Sequence, residues 1–240
     1  MDHLFINKTL FLPKQGILVI GDLHIGYEAM LRQSGVLIPE RQVKDIIRDI
    51  KESIDILKAK KYTLNKIVFI GDIKHGFGFE FEERDEFEQV LEFLGGIFSP
   101  ENIIFIKGNH DTIDYSPDSS MKDFYVDDEV IFIHGHEQVK EAMKENIKMV
   151  VMGHLHPCVV IKDGVKKETY KCFLEGSSKN KKVIVMPSVL DFNEGTPIND
   201  YDEEYVESFS IVPKKDMMKF NVHVIGEKGI FDFGKIKDLN

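Results

Sequence analysis

Five short segments rich in metal-ligand side chains follow one another down the chain: Asp22-Leu23-His24, Gly71-Asp72, Gly108-Asn109-His110-Asp111, His134-Gly135-His136 and Gly153-His154-Leu155-His156. Each begins where an apolar run ends. Of the nine histidines, His24, His110, His134, His136, His154 and His156 fall inside these segments. Imidazole, carboxylate and carboxamide, delivered from separate strand ends, are the donors that two adjacent divalent metals require. A carboxylate such as Asp72 has two oxygens and can bridge two cations, which a neutral imidazole cannot. Along an extended segment residues two apart point the same way, which lets Asp22 and His24 reach one ion. Asn109 offers a neutral carbonyl oxygen, and the adjacent His110 is free to face a substrate. Taken singly, each has an ordinary explanation. Asp-x-His arises by chance, Asp72 can cap a turn, and one histidine can be a satisfied core residue. The complete ordered set resists that explanation.

These side chains need strands to deliver them. Ile17–Ile20, Ile67–Ile70, Ile103–Ile106, Val130–Ile133, Val150–Met152 and Val183–Met186 are all-apolar runs, as expected of strands covered on both faces. Leu4–Leu12 reads as an edge strand or hairpin arm, followed by the turn Pro13-Lys14-Gln15-Gly16. Pro39 can open a helix in which Val43, Ile46, Ile47, Ile50, Ile54 and Leu57 repeat at three and four, and Phe87, Val90, Leu91 and Leu94 mark a second. Strand–helix alternation from residue 17 to about 153 implies a largely parallel arrangement with ligands at its carboxyl edge. Beyond His156, Val159–Ile161, Asp163-Gly164 and Glu168–Leu174 read as an antiparallel hairpin, with further strands at Lys219–Ile225 and Ile230–Phe233. Two stacked sheets with helices outside, in one domain over residues 1–240, is the expected α/β architecture.

With 240 residues, 42% of them apolar, the chain has enough material for a core and no sign of disorder. No run approaches a membrane span, and the N-terminus lacks a secretory leader pattern, so a cytoplasmic location without a membrane partner is expected. Cys158 and Cys172 fit that compartment as small apolar fillers, the alternative being a disulfide across the hairpin. A net charge of −10 argues against a broad DNA-binding surface. It leaves room for a small phosphate ester, because bound metals reverse the local field.

The ordered motifs resemble those of the calcineurin-like metallophosphoesterases over residues 17–156. The resemblance implies a four-layer sandwich of two stacked mixed β-sheets flanked by helices. It also implies a pair of divalent ions. Asp22, His24, Asp72 and His156 would hold one, and Asp72, Asn109, His134 and His154 the other. His110 would be the catalytic histidine, oriented by Asp111. Many members read Gly-Asp-x-x-Asp in the second block, where this chain reads Gly71-Asp72-Ile73-Lys74-His75-Gly76. In this the chain is most similar to the small SbcD-related and DNA-ligase-associated phosphoesterases of bacteria and archaea.

In two-metal hydrolysis the ions acidify a bridging water, which attacks phosphorus in line while a histidine protonates the leaving oxygen. Mixed nitrogen and oxygen donors without thiolate suit manganese, with iron, zinc and nickel as alternatives. The expected substrate is a small phosphodiester, nucleotide or cyclic nucleotide. The alternative is a nuclease acting on DNA or RNA, and against it 240 residues leave little room for extra DNA-facing parts. A non-catalytic scaffold of the same fold would have lost ligands, and every ligand position is filled. Beside the metals, His75 either supports a ligand or is exposed, and His136 is equally open. Phe77 and Phe79, with Phe81, either stack a nucleobase or pack the loop onto the body. Asn193-Glu194-Gly195-Thr196-Pro197 either rims the site or is an ordinary loop. Oligomeric state is left open.

Overall fold

A computed structural model describes residues 2–78, 80–112, 121–192, 195–200 and 210–239. The all-apolar runs are strands whose alternate side chains enter different cores. In β3 (Ile17–Ile20), Leu18 and Ile20 pack with Ile46, Ile50, Phe87 and Val90. Those partners come from α2 (Gln42–Ala59) and α3 (Phe81–Gly95). Ile17 and Val19 face the other way, toward Phe132, Val151, Phe173 and Ile184 of a second sheet. A strand between two such layers has no polar face to keep.

The first sheet runs β1 (Leu4–Ile6), β2 (Thr9–Leu12), β3, β4 (Lys66–Phe69), β5 (Ile103–Phe105). Its β3, β4 and β5 are parallel, with β1 and β2 forming an antiparallel hairpin at the edge. The second sheet is built on β7 (Val130–Ile133), β8 (Met149–Met152) and β11 (Lys181–Val185), which are parallel. Antiparallel partners flank them: β6 (Phe124–Asp127), then the hairpin of β9 (Pro157–Asp163) and β10 (Lys166–Ser178). Short β12 (Thr196–Pro197) pairs β9, while β13 (Asn221–Gly226) joins β10 and carries β14 (Gly229–Lys235). The fold is thus two stacked mixed sheets with helices outside. Among the described residues, the outer face of the second sheet is covered by Ala142, Ile147, Val212 and Met217, the last from the short α4 (Lys214–Met217). No helix among them is long and apolar enough to cross a membrane.

Three expectations need correction. The parallel strands are divided between two sheets, and the strand–helix alternation ends at β5. Between β5 and β8 the described residues hold the β6–β7 hairpin and a 3-10 turn at Lys140–Met143. Pro39 does not open α2. The helix starts at Gln42, where the Glu28 carboxylate accepts from the backbone N–H of Arg41 (2.8 Å) and Gln42 (2.9 Å). Glu28 belongs to α1 (Tyr27–Gln33), a helix too short to leave an apolar period in the sequence. Both cysteines are buried and no disulfide joins them, in line with their reading as apolar fillers. Cys158 lies opposite Lys171 in the β9–β10 register, so Cys172 faces the other side of the sheet.

Candidate metal centre

The carboxyl ends of β3, β4 and β5 from one sheet, and of β7 and β8 from the other, converge on one place. After β3 and β4 the two chains stay side by side, with the N–H groups of Leu23 and His24 donating to the Asp72 carbonyl (3.1 and 2.8 Å). The ligand segments are not extended, however. His24, Asp72, His154 and His156 have φ of 45°, 43°, 66° and 43°. Left-handed backbone at a non-glycine residue costs roughly 1–3 kcal/mol, and it persists where the surroundings impose it. Asp22 and His24 therefore meet through a left-handed turn and not through strand alternation. Gly71 precedes Asp72 at φ 107°, and a Cβ at Gly108 would collide with the Asp72 carboxylate. The bridge residue is packed against backbone that tolerates no side chain.

Two donor clusters result. Asp22, His24, Asp72 and His156 bring ligand atoms within 4.8 Å of one another, and so do Asp72, His134 and His154. In the first, His24 Nε2 lies 3.3 Å from His156 Nε2 and 3.6 Å from Asp72 Oδ2, and His156 Nε2 lies 3.4 Å from Asp22 Oδ1. In the second, His134 Nε2 lies 3.3 Å from the same Asp72 Oδ2, 3.2 Å from His154 Nδ1 and 3.1 Å from Asn109 Oδ1. Ligands at about 2.0–2.2 Å from a common ion sit roughly 3–3.5 Å from each other. The donor set and its spacing fit two divalent metals sharing Asp72. These are the groupings the resemblance implied, and no cysteine takes part.

Electrostatics agree with the arrangement. Burial pushes His24 down to about 3, helped by the charge of His156. His154 falls to about 4 by burial and by His134. Both are therefore neutral donors at physiological pH. Asp72 is 2% exposed and Asp22 wholly buried. Burial disfavours their charge, but histidine partners hold both carboxyls below the usual range, His134 for Asp72 and His156 for Asp22. His134 is the converse. Burial opposes its protonation, yet the hydrogen bond to Asp72 and the charges of Asp22 and Asp72 raise it to about 9. Two buried carboxylates demand positive charge here.

His110 lies outside these two donor clusters, although its ring forms a third group with His24 and His75, whose ligand atoms also fall within 4.8 Å of one another without a carboxylate among them. Its N–H donates to Asp72 Oδ1 (2.9 Å), and its Nδ1 lies 2.6 Å from the His75 carbonyl. A carbonyl only accepts, so Nδ1 carries the hydrogen and Nε2 is the atom left for proton exchange. The expected contact between Asp111 and this ring is absent. The buried Asp111 carboxylate accepts from Ile73 N (3.0 Å), Lys74 N (3.3 Å) and Gly108 N (2.8 Å). It fixes the loop that presents the His75 carbonyl, and so acts on His110 through that loop. Burial raises it to about 6.

His75 approaches a ligand, its Nδ1 being 3.4 Å from His24 Nδ1. Phe77 lies on His110 with ring centroids 4.4 Å apart, while Phe79 is outside the described residues. His136 sits 5.3 Å from the His134 ring and lines a pocket of about 120 Å³ with Lys107, Asp123 and Glu137. Asn193 and Glu194 are also outside the described residues. The end of that stretch reaches the site's backbone, Thr196 N donating to the His156 carbonyl (2.8 Å). Sequence reasoning passed over Lys74. It is 2% exposed, and its ammonium binds the carbonyls of Gly76 and Gly78. Its place between Asp72 and His75 was the available signal.

A family model described as calcineurin-like phosphoesterase matches residues 16–158, a span holding every residue of both clusters. Among curated proteins none matches the chain. Among solved structures, nuclease MPE of Pseudomonas putida superposes with a TM-score of 0.61 at 15% identity, covering 95% of this chain and 92% of that one. At such identity the likeness is one of fold. Wild-type Vps29 of Entamoeba histolytica complexed with zinc gives a TM-score of 0.39 at 13% identity, over 90% of this chain and 96% of that one. That overlay is too loose to bear on the fold.

Proposed function

The chain belongs to the calcineurin-like phosphoesterase family, and from that premise we propose that it hydrolyses phosphodiester bonds of nucleotides, linear or cyclic. The observation that carries the reading is the pair of donor clusters meeting at one oxygen, Asp72 Oδ2, with the His110 ring beside them. Ions bound there would supply a water-derived nucleophile at neutral pH and compensate phosphoryl charge. Asp22, His24, Asp72 and His156 would hold one ion, and Asp72, Asn109, His134 and His154 the other. Manganese suits this mixture of carboxylate, carboxamide and imidazole. His110, with Nδ1 committed to the His75 carbonyl, gives a proton from Nε2 to the departing oxygen. Asp111 is a positioning residue for that carbonyl. The net charge of −10 favours a short diester over a long duplex.

A nuclease reading has its own support. The Pseudomonas putida protein is a nuclease, and its fold is matched over 92% of its length. That coverage, 95% of this chain and 92% of that one, weakens the objection from length. One experiment tests both readings: hydrolysis of bis-p-nitrophenyl phosphate, p-nitrophenyl phosphate and duplex DNA with added Mn²⁺. Diester hydrolysis should exceed monoester hydrolysis, with duplex DNA cut slowly. Activity on the monoester alone would overturn the diester assignment, and rapid processive degradation of the duplex would move it to nuclease.

A further inference from the structure

Phe77 is 61% exposed, yet it is held firmly. The Lys74 ammonium binds the carbonyls on either side of it, those of Gly76 and Gly78. Gly76 N donates to Glu83 Oε1 at 2.7 Å, and the Thr112 hydroxyl donates to the carbonyl of Phe77 itself. The ring lies on His110 at 4.4 Å between centroids and 22° between planes. Packing the loop onto the body explains the contact with His110. It does not explain why so much of a large apolar ring is kept in water on a braced backbone, when burial would stabilise the protein by roughly 25 cal/mol for each Å² covered.

We propose that Phe77 is the stacking platform for the nucleobase on the leaving side of the scissile phosphate. The inference rests on the diester reading above and names which part of the substrate this ring meets. His110 protonates the departing oxygen, and Phe77 covers the His110 ring, so the group beyond that oxygen is the one brought to the aromatic surface. The surroundings favour a base over a second phosphate. The neighbouring pocket is lined by Glu80, Glu82 and Glu83 with His75, and those acids repel phosphate while leaving a neutral base untouched. Stacking is tolerant of base identity, because every base offers a π-face. The site should therefore recognise that a base is present and be nearly indifferent to which one.

The test uses the full chain loaded with Mn²⁺ and three dinucleotides: one intact, one abasic on the leaving side and one abasic on the other side. The wild type should cleave the intact substrate with kcat/KM about 10-fold above the leaving-side abasic one, within the range of base–aromatic stacking. The other abasic substrate should behave as intact. Phe77→Ala should abolish the preference, so that the intact and the leaving-side abasic substrates are cleaved at the same rate. Phe77→Trp should restore the preference, and metal content should stay at the wild-type value in both variants. Equal rates on all three substrates in the wild type would overturn the proposal. So would an equal loss on intact and abasic substrates in Phe77→Ala, which would make the ring a cover for His110. If the wild type cleaves no diester at all, the reading beneath the proposal fails and the proposal falls with it, a result distinct from either of these.

Discussion

Asp72 and Glu86 are both carboxylates with less than a tenth of their surface exposed. Both stand where three potential ligand atoms lie within 4.8 Å, Glu86 with Glu40 and Glu82. Their surroundings treat them in opposite ways. Around Asp72, imidazoles and the His110 N–H overcome burial and keep the carboxylate charged. Around Glu86, burial is reinforced by Glu82 and Glu40, with Arg32 the main opposing charge, and the group rises to about 7. Its Oε2 has no hydrogen-bond partner. Left-handed backbone marks three histidines and Asp72 across the two donor clusters that share Asp72, whereas none of the three glutamates shows it. Proximity of acids is therefore a poor criterion for a metal site. Neutral donors that keep the acids ionised, on backbone bent to aim them, are the better one.

The largest expected effect separates the clusters outright. Asp72→Asn should drop diester hydrolysis to background and lower the metal content from about two ions per chain, because the shared oxygen is lost. Glu40→Gln and Glu82→Gln should leave both activity and metal content at wild-type values. Elemental analysis of the purified proteins decides the matter. Full activity in Asp72→Asn, or metal lost with the glutamates, would reverse the comparison.

A smaller effect sharpens what belongs to the donor clusters that share Asp72. His110→Ala should retain both metals while kcat falls by about 10²–10⁴-fold, the usual worth of general acid catalysis. The loss should be greatest for alkoxide leaving groups and shrink for p-nitrophenolate, which departs without a proton. Equal losses on both, with metal retained, would assign His110 to the phosphoryl oxygens. Loss of a metal would make it a ligand.

Asp111→Asn tests the indirect path. It keeps one acceptor oxygen, which can serve Ile73 and Lys74 or Gly108 but not both sides, and it removes the charge, so metal content should hold while kcat falls by about 10–100-fold, the typical worth of an orienting partner. KM should change little. An unaltered kcat would show that the His75 carbonyl needs no help from Asp111.

Much of this was legible in the sequence for a physical reason. Histidine, Asn109 and paired carboxylates at the ends of all-apolar runs are rare enough to be read as a set, and the runs themselves report burial on both faces. α2 and α3 announced themselves by their three-and-four periods. What escaped reading depends on contacts between distant segments. The left-handed turns at His24, His154 and His156 are imposed by the surrounding chain, and the modest preference of histidine for that conformation is too weak to announce them. The start of α2 is set by Glu28, from a different helix. Asp111 was read as a partner of the adjacent His110, whereas its Oδ1 is taken by N–H groups 38 and 37 residues away in sequence and its Oδ2 by Gly108 three residues back. The division of parallel strands between two sheets left no trace either, since a strand in each reads as the same apolar run.

The smallest effect lies among Glu40, Glu82 and Glu86. Glu86 ordinarily titrates near 4.5 and is raised to about 7 in the fold. A carboxyl raised in the folded state binds more protons there than in the unfolded chain. The stability it contributes is present below about 4.5 and is lost as pH rises through about 7. Glu86→Gln mimics the protonated form at every pH. Its melting temperature should match the wild type at pH 4.5 and exceed it at pH 8, by roughly 2–4 °C for each kcal/mol recovered in a chain of this length. Metal content should not move. A cation bound among Glu40, Glu82 and Glu86 would invert the outcome, since the substitution would then remove a ligand, and the variant would melt below the wild type at pH 8 when divalent metal is present. The pH-dependent sign of one melting difference thus reports whether these three acids are merely crowded or are a site.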